Sequence, residues 1–215
     1  MPQPQYQLYY AQGASSLSIH ALLCSIGASY ELTRIDIRKH PLPKELFEQN
    51  PRGQIPVLID NERDVIMRES MNIALYLCET HKSPLLPTET NARYQVIEWL
   101  AFLSSNLHQS YASYILMQKQ LRHPEAQKEA CLVAAKRISY LWKQINTHLT
   151  GRNYLVGESI TIADVFHTVI ANWTSIIPNT VTLGEETVRL CKSVIQEPFM
   201  QQAMKAEDLT YQITE

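Results

Sequence analysis

The stretch Gln5–Ile37, QYQLYYAQGASSLSIHALLCSIGASYELTRIDI, decides the fold. Its opening, Gln5 to Tyr10, is rich in aromatics and reads as a strand. Gly13 breaks that strand, and Ser15-Ser16 then stands where a helix N-cap belongs. Leu17, His20-Ala21 and Cys24 recur at three- and four-residue steps, and Gly27 closes the helix as a C′ glycine. Tyr30 to Ile37 is β-branched and apolar enough for a second strand. Strand, helix and strand at this spacing make a βαβ unit, which crosses over right-handed.

Downstream, a short helix is expected around Leu42–Gln49, followed by Asn50-Pro51-Arg52-Gly53-Gln54-Ile55-Pro56. Val57–Asp60 and Val65–Met67, joined by Asn61-Glu62-Arg63-Asp64, read as a β-hairpin, and Glu69-Ser70 opens a helix through about Thr80. The order βαβ-α-ββα predicts a small α/β domain with a mixed four-stranded sheet over residues 1–82. Residues 83–91, SPLLPTETN with two prolines and no periodicity, read as a linker. From 92 to 215 the pattern is helical: about Ala92–Gln120 with Val96, Leu100, Leu103 and Leu107 on one stripe, Pro124 to about Leu149, a helix from Thr161, then Glu185–Ile195 and Pro198–Ala206. Thr161-x-x-Asp164 is a capping box, with Ile160 and Val165 placed as a hydrophobic staple, and serves folding.

Composition bounds the function. The chain of 215 residues is long enough for a substantial core, and its net charge of -2 without a basic block argues against nucleic-acid binding. No apolar run reaches the roughly 18 to 20 residues of a membrane span, and no export signal opens the chain. Four scattered cysteines without a CxxC make neither a disulfide framework nor a metal site, so a reducing cytoplasm is expected. Six glycines are few against a typical share of about 7%, which excludes a turn-rich all-β fold.

The chemistry centres on hydroxyls at helix starts. Ser15 and Ser16 lie beside unpaired N–H groups and the positive end of a helix, where an anion is favoured, although an isolated Ser-Ser is simply a cap. Glu69-Ser70 repeats the arrangement. The ordered set Gly13-Ala14-Ser15-Ser16-Leu17, Asn50-Pro-x-Gly-x-x-Pro56, Glu69-Ser70 and Thr161-Ile-Ala-Asp164 resembles the cytosolic glutathione transferases over residues 7–206. Tyr10, the 13–17 turn and Glu98-Trp99-Leu100 through Leu107-His108 are most similar to the bacterial beta class.

That resemblance implies a thioredoxin-like N-terminal domain, an all-α C-terminal domain, glutathione as co-substrate, no metal and a homodimer. It implies that Pro56 is cis, leaving the backbone of Ile55 beside Gln54 to pair with the cysteinyl part of glutathione, and that Glu69 and Ser70 hold its γ-glutamyl end. Ala14, Ser15 and Ser16 fall at the thiol, and Lys39 or His40 near the glycyl carboxylate. From the helical domain, Ser105 and His108 share a face with Ala101, and His108 points into the family's glutathione site. Gln109 and Ala101 replace a lysine and an asparagine common in the family. The largest departure is Ser15, where beta-class enzymes carry a cysteine that forms a mixed disulfide.

With that cysteine absent, the reacting sulfur is glutathione's own. Lowering a thiol pKa from about 8.5 by two units needs ~2.7 kcal/mol of preference for the anion. A helix N-terminus supplies ~0.3–2 kcal/mol and a hydrogen bond to a charged group ~1.5–3, so dipole plus one hydroxyl suffices. Ser15 and Ser16 rank first as donors, with Tyr10 and His108 as auxiliaries, and the expected reaction is transfer of glutathione to a small apolar electrophile in detoxification. The electrophile pocket is expected between the domains, with Tyr111, Tyr114, Ile115 and Trp173 as candidates. Three other readings stay open: a glutathione-dependent isomerase or lyase, a low-turnover ligand-binding protein, and a transcription-associated relative that has lost glutathione.

Overall fold

The structure is a computed structural model that describes residues 3–177, 180–211 and 213. The chain divides into two compact units, residues 1–86 with 195–211, and residues 87–194 with 212–215. The division at Leu86 falls inside the stretch read as linker.

Unit 1 is built on β1 (Tyr6–Tyr10), α1 (Ser16–Ser25), β2 (Tyr30–Arg34), α2 (Lys44–Gln49), β3 (Val57–Asp60), β4 (Val65–Arg68) and α3 (Ser70–Thr80). The sheet runs β2-β1-β3-β4 and is mixed, as expected. β1 is parallel to β2, Tyr6 opposite Tyr30 and Tyr10 opposite Arg34, and antiparallel to β3, Tyr9 opposite Val57. β3 and β4 form the hairpin, with Val57 opposite Arg68. Its turn is nucleated by buried Asp60, whose Oδ1 accepts from the backbone N–H groups of Glu62 and Arg63 at 3.0 and 3.1 Å.

Two strand and helix ends differ from expectation. β2 stops at Arg34 and not at Ile37, because the last backbone bond toward β1 runs from Ile35 N to Tyr10 O and Ile37 is already 47% exposed. α2 starts after Pro43 and not at Leu42, since Pro43 occupies its N-cap.

The larger difference is at the C-terminus. The helix Pro198–Ala206, α9 in chain order, belongs with unit 1 and packs on α1; it does not extend the helical domain. α1 requires this cover: every residue from Ser16 to Leu23 is buried, too many for one sheet face.

Unit 2 holds α4 (Thr90–Phe102), a π-helical turn (Leu103–His108), α5 (Gln109–Gln120), α6 (Pro124–Leu149), α7 (Ile162–Ala171), a 3-10 turn (Asn172–Ile176) and α8 (Glu185–Ile195). α4 is capped by Glu89, whose carboxylate accepts from Asn91 N and Ala92 N at 2.9 and 2.6 Å. Val96, Leu100, Leu103 and Leu107 are fully buried, as their spacing predicts, and α7 is buried along its whole length. The helix expected to run unbroken from 92 to 120 is interrupted by the π turn. The capping box forms: Thr161 N and Thr161 Oγ1 both donate to Asp164 Oδ2 at 2.7 Å, and Leu155 N donates to Oδ1 at 2.8 Å. Among the described residues no helix is long and apolar enough to cross a membrane.

Candidate functional site

The β1–α1 turn carries the first candidates. Gly13 adopts φ +68°, which a side chain would resist, and Ala14 N donates to Ala11 O at 3.0 Å to close the turn. Ser15 already has helical dihedrals (φ -57°, ψ -21°), so its side chain makes no capping bond. Its hydroxyl instead accepts from Ser70 Oγ at 3.2 Å. The N-termini of α1 and α3 therefore meet at Ser15 and Ser70, two of the expected residues.

Ser16 is different. It is fully buried, its Oγ donating to Ala11 O at 3.1 Å and accepting from Ala11 N at 3.2 Å. The expectation that Ser16 activates a thiol is corrected: a hydroxyl with no exposed surface, spent on the backbone of the preceding strand end, fastens α1 to β1.

Tyr10 is 7% exposed at the end of β1. Burial, and then the charge of Glu207, push its phenol above the usual range, so it keeps its proton and remains a donor.

The segment 50–56 is organised by Asn50, which is buried. Asn50 Nδ2 donates to Gln54 O at 2.8 Å, Asn50 Oδ1 accepts from Arg52 N at 3.2 Å, and Gly53 N donates to Asn50 O at 2.8 Å. Gly53 has φ +63°, and a Cβ there would lie 2.7 Å from Phe47 Cε1. The Ile55–Pro56 peptide is cis, as the resemblance implied; His40–Pro41 is cis as well.

Glu69, just before α3, has φ +69° and ψ 121°, a region that side chains avoid. Such a residue costs roughly 1–3 kcal/mol, and strain of this kind concentrates at functional sites. Its Oε1 pairs with Arg52 Nη1 at 3.0 Å, and both side chains are well exposed, so the pair returns little of that cost. Lys39 and His40 are exposed on the loop after β2, Lys39 Nζ lying 3.7 Å from Asp36 Oδ2.

In unit 2, His108 ends the π turn and its ring meets Trp173 edge-on at 4.8 Å. Ser105, exposed on the same turn, donates to Ala101 O at 2.8 Å. π turns are rare and recur at functional sites. Tyr111 also packs edge-on against Trp173, at 5.8 Å. Tyr111 is only 1% exposed, and its hydroxyl is held by Trp142 Nε1 at 2.9 Å and Thr174 Oγ1 at 3.0 Å. The expectation that Tyr111 lines a pocket is thereby corrected: it is a core residue that supports Trp173. Tyr114, Ile115 and Trp173 are partly exposed.

One group of residues carries no local signal in the sequence. Glu207, after α9, is buried; its Oε2 accepts from Gly13 N at 3.0 Å and its Oε1 pairs with His20 Nδ1 at 2.9 Å. Gln12 Nε2 donates to the carbonyls of Glu207 and Asp208 at 2.7 and 3.1 Å, and Arg34 Nη2 donates to Gln12 Oε1 at 2.6 Å. His20 Nε2 meets Tyr30 OH at 3.1 Å. Burial alone would push the His20 imidazole down; Cys24 and the Glu207 carboxylate reverse this and lift it to about 9.

Comparison with known proteins agrees with this architecture. Residues 4–79 match the family model of the glutathione S-transferase N-terminal domain, and residues 102–194 that of the C-terminal domain. The chain is 25% identical over 207 residues to glutathione S-transferase GstA of Escherichia coli O157:H7, covering 94% of this chain and 99% of that one. A glutathione transferase crystal structure from Methylococcus capsulatus superposes with a TM-score of 0.81 at 26% identity, over 95% of this chain and all of the other (100%). A bacterial beta class glutathione S-transferase from Sphingomonas chungbukensis shares the fold, with a TM-score of 0.80 at 23% identity over 95% of this chain and 100% of that one. On the two domain models, the full-length relative and the mixed sheet beneath paired helix N-termini, the chain belongs to the glutathione S-transferase family.

Proposed function

We propose that the chain binds glutathione on unit 1, stabilises its thiolate at the α1 N-terminus, and transfers it to small apolar electrophiles. The observation that carries this reading is the state of Ser15. Its hydroxyl is not consumed as a helix cap and it accepts a hydrogen bond from Ser70, so its own proton is left to donate. The helix end supplies ~0.3–2 kcal/mol and a hydroxyl on the anion ~1.5–3, which together reach the ~2.7 kcal/mol that a two-unit fall in thiol pKa requires. Tyr10 is a second neutral donor at the same end of β1, and His108 is assigned an auxiliary role.

Strained Glu69, with Ser70, is assigned to the γ-glutamyl end, the backbone of Gln54 and Ile55 beside Pro56 to the cysteinyl part, and Lys39 and His40 to the glycyl end. Ala14 and Ser105 complete the assignment. Tyr114, Ile115 and Trp173 are assigned to the electrophile. The family match does not favour the isomerase, lyase, binding-protein or transcription-associated readings. A cytosolic homodimer is part of the proposal, as is general glutathione transferase activity of the EC 2.5.1.18 type.

The test is the pH dependence of thiolate absorbance for bound glutathione in wild type and Ser15→Ala, beside calorimetric binding and conjugation of a chloronitroarene. Ser15→Ala should raise the bound thiol pKa by about one unit or more, the worth of one hydrogen bond to a charged group. An unchanged thiol pKa refutes the role of Ser15, and failure to bind glutathione refutes the function.

A further inference from the structure

We propose that Glu207 is a positioning residue for thiol activation: it clamps the turn that carries Ser15, with Gln12 as the second point of attachment and His20 as the counter-charge. The proposal rests on the thiolate reading above and adds what holds the activating hydroxyl in place.

Ser15 follows Gly13 by two residues, and a turn built on a glycine at φ +68° has few intrinsic restraints. Here the restraint is supplied from the far end of the chain. Glu207 Oε2 takes the Gly13 N–H at 3.0 Å, while the main-chain carbonyls of Glu207 and Asp208 take the Gln12 amide at 2.7 and 3.1 Å. Leu209 lies just beyond, so close that a Cβ on Gly13 would sit 3.4 Å from its Cδ2. Glu207 is itself held: its backbone N–H donates to Ala203 O at 3.0 Å, and Leu209 N donates to Met204 O at 2.9 Å, which closes the end of α9, the helix packed on α1.

Charge is the reason for His20. An unpaired carboxylate on Gly13, two residues before Ser15, would oppose an anion at the α1 N-terminus and would be costly to bury. Paired with imidazolium at 2.9 Å inside the protein, Glu207 keeps its two acceptor oxygens while the pair is neutral overall. The other ionisable groups around the pair are Tyr10 from β1, Tyr30 and Arg34 from β2 and Cys24 from α1; both tyrosines are pushed above their ordinary range and so stay neutral, and Arg34 is exposed with its guanidinium on Gln12, so His20 is the cation paired directly with Glu207. The α1 dipole is then free to act on the ligand.

The experiment uses the full chain with Glu207→Ala, Glu207→Gln, Gln12→Ala and Ser15→Ala. It reads the thiol pKa of bound glutathione, kcat and KM for chloronitroarene conjugation, and thermal midpoint. Glu207→Ala should lower kcat on the order of tenfold, as misplacement of a reacting group does, with KM for glutathione changed less and the bound thiol pKa raised. Glu207→Gln keeps an oxygen for the Gly13 N–H and should restore kcat to within about threefold, a small part of that misplacement effect.

Gln12 is exposed, so Gln12→Ala should fold normally, and it should raise the thiol pKa in the same direction by a smaller amount. A lower thermal midpoint with wild-type thiol pKa and kcat in Glu207→Ala overturns the proposal, as does equal damage in Glu207→Gln. If Glu207→Ala does not fold, a wild-type thiol pKa in Gln12→Ala overturns it. Loss of the Ser15→Ala effect is a separate result, which removes the thiolate reading itself.

Discussion

Replacing Asp164 by alanine tests how the helical unit is held together. Its carboxylate is fully buried and accepts from Leu155 N, Thr161 N and Thr161 Oγ1 at 2.8, 2.7 and 2.7 Å. Asp164→Ala leaves two buried backbone donors without an acceptor, each costing about 1–3 kcal/mol; the Thr161 hydroxyl can rotate and adds less. Against this, burial pushes the Asp164 carboxyl up and the hydrogen bonds oppose that, so the ionised group carries a desolvation cost that alanine does not. The net expectation is a loss of about 3 kcal/mol, above the ~1 kcal/mol typical of a helix cap, because the Leu155 bond also ties the preceding loop to α7.

For a chain of this size a loss of about 3 kcal/mol lowers the thermal midpoint by about 6–12 °C. Urea unfolding gives the free energy directly. Asp164→Asn should cost about as much, since its amide nitrogen must face either Leu155 N–H or Thr161 N–H. A loss in Asp164→Ala below about 0.5 kcal/mol, the usual range of a surface change, refutes the reasoning.

Ser16→Ala should destabilise the protein by about 1–3 kcal/mol through the stranded Ala11 N–H, and urea unfolding beside the bound-thiol titration should show that loss with little change in thiol pKa. Glu69→Gly removes the cost of φ +69° and an exposed ion pair of little worth, so calorimetry should find a thermal midpoint no lower than wild type together with weaker glutathione binding. His20, lifted to about 9 in the fold from about 6.5 unfolded, contributes stability that is complete below about pH 6.5 and lost as pH rises through about 9. Stability against pH in wild type and Glu207→Gln should show that decline in the first and a flatter profile in the second.

The sequence predicts what local chemistry controls. Aromatic and β-branched runs set off by Gly13, Gly27, the 50–56 turn and the polar stretch 61–64 locate β1 to β4, and Asn50, Gly53 and Pro56 predict an ordered turn because each has a distinct backbone role. Thr161 and Asp164 predict their own bond because three residues separate them. The π turn escapes, since Val96, Leu100, Leu103 and Leu107 keep an apolar stripe whether the backbone bonds close at four residues or five. Ser15 and Ser16 read alike as hydroxyls at a helix start, and only the position of Ala11 and Ser70 separates a hydroxyl bonded to the strand end from one bonded to the start of the next helix. Tyr111 and Trp173 share a helical period with the core, so exposure cannot be read from spacing. Glu207 and Gly13 stand 194 positions apart, and no pattern along the chain connects them.

The return of α9 to the first unit bears on biosynthesis. Domains generally fold as they leave the ribosome, N-terminal ones first. Here α1 waits without its α9 cover over Ser16–Leu23 until residues 195–211 have been translated, after residues 87–194 of the second unit. The first unit is begun before residues 87–194 and closed only after them, and a premature stop anywhere before Pro198 would leave it open along the flank of its longest-waiting helix.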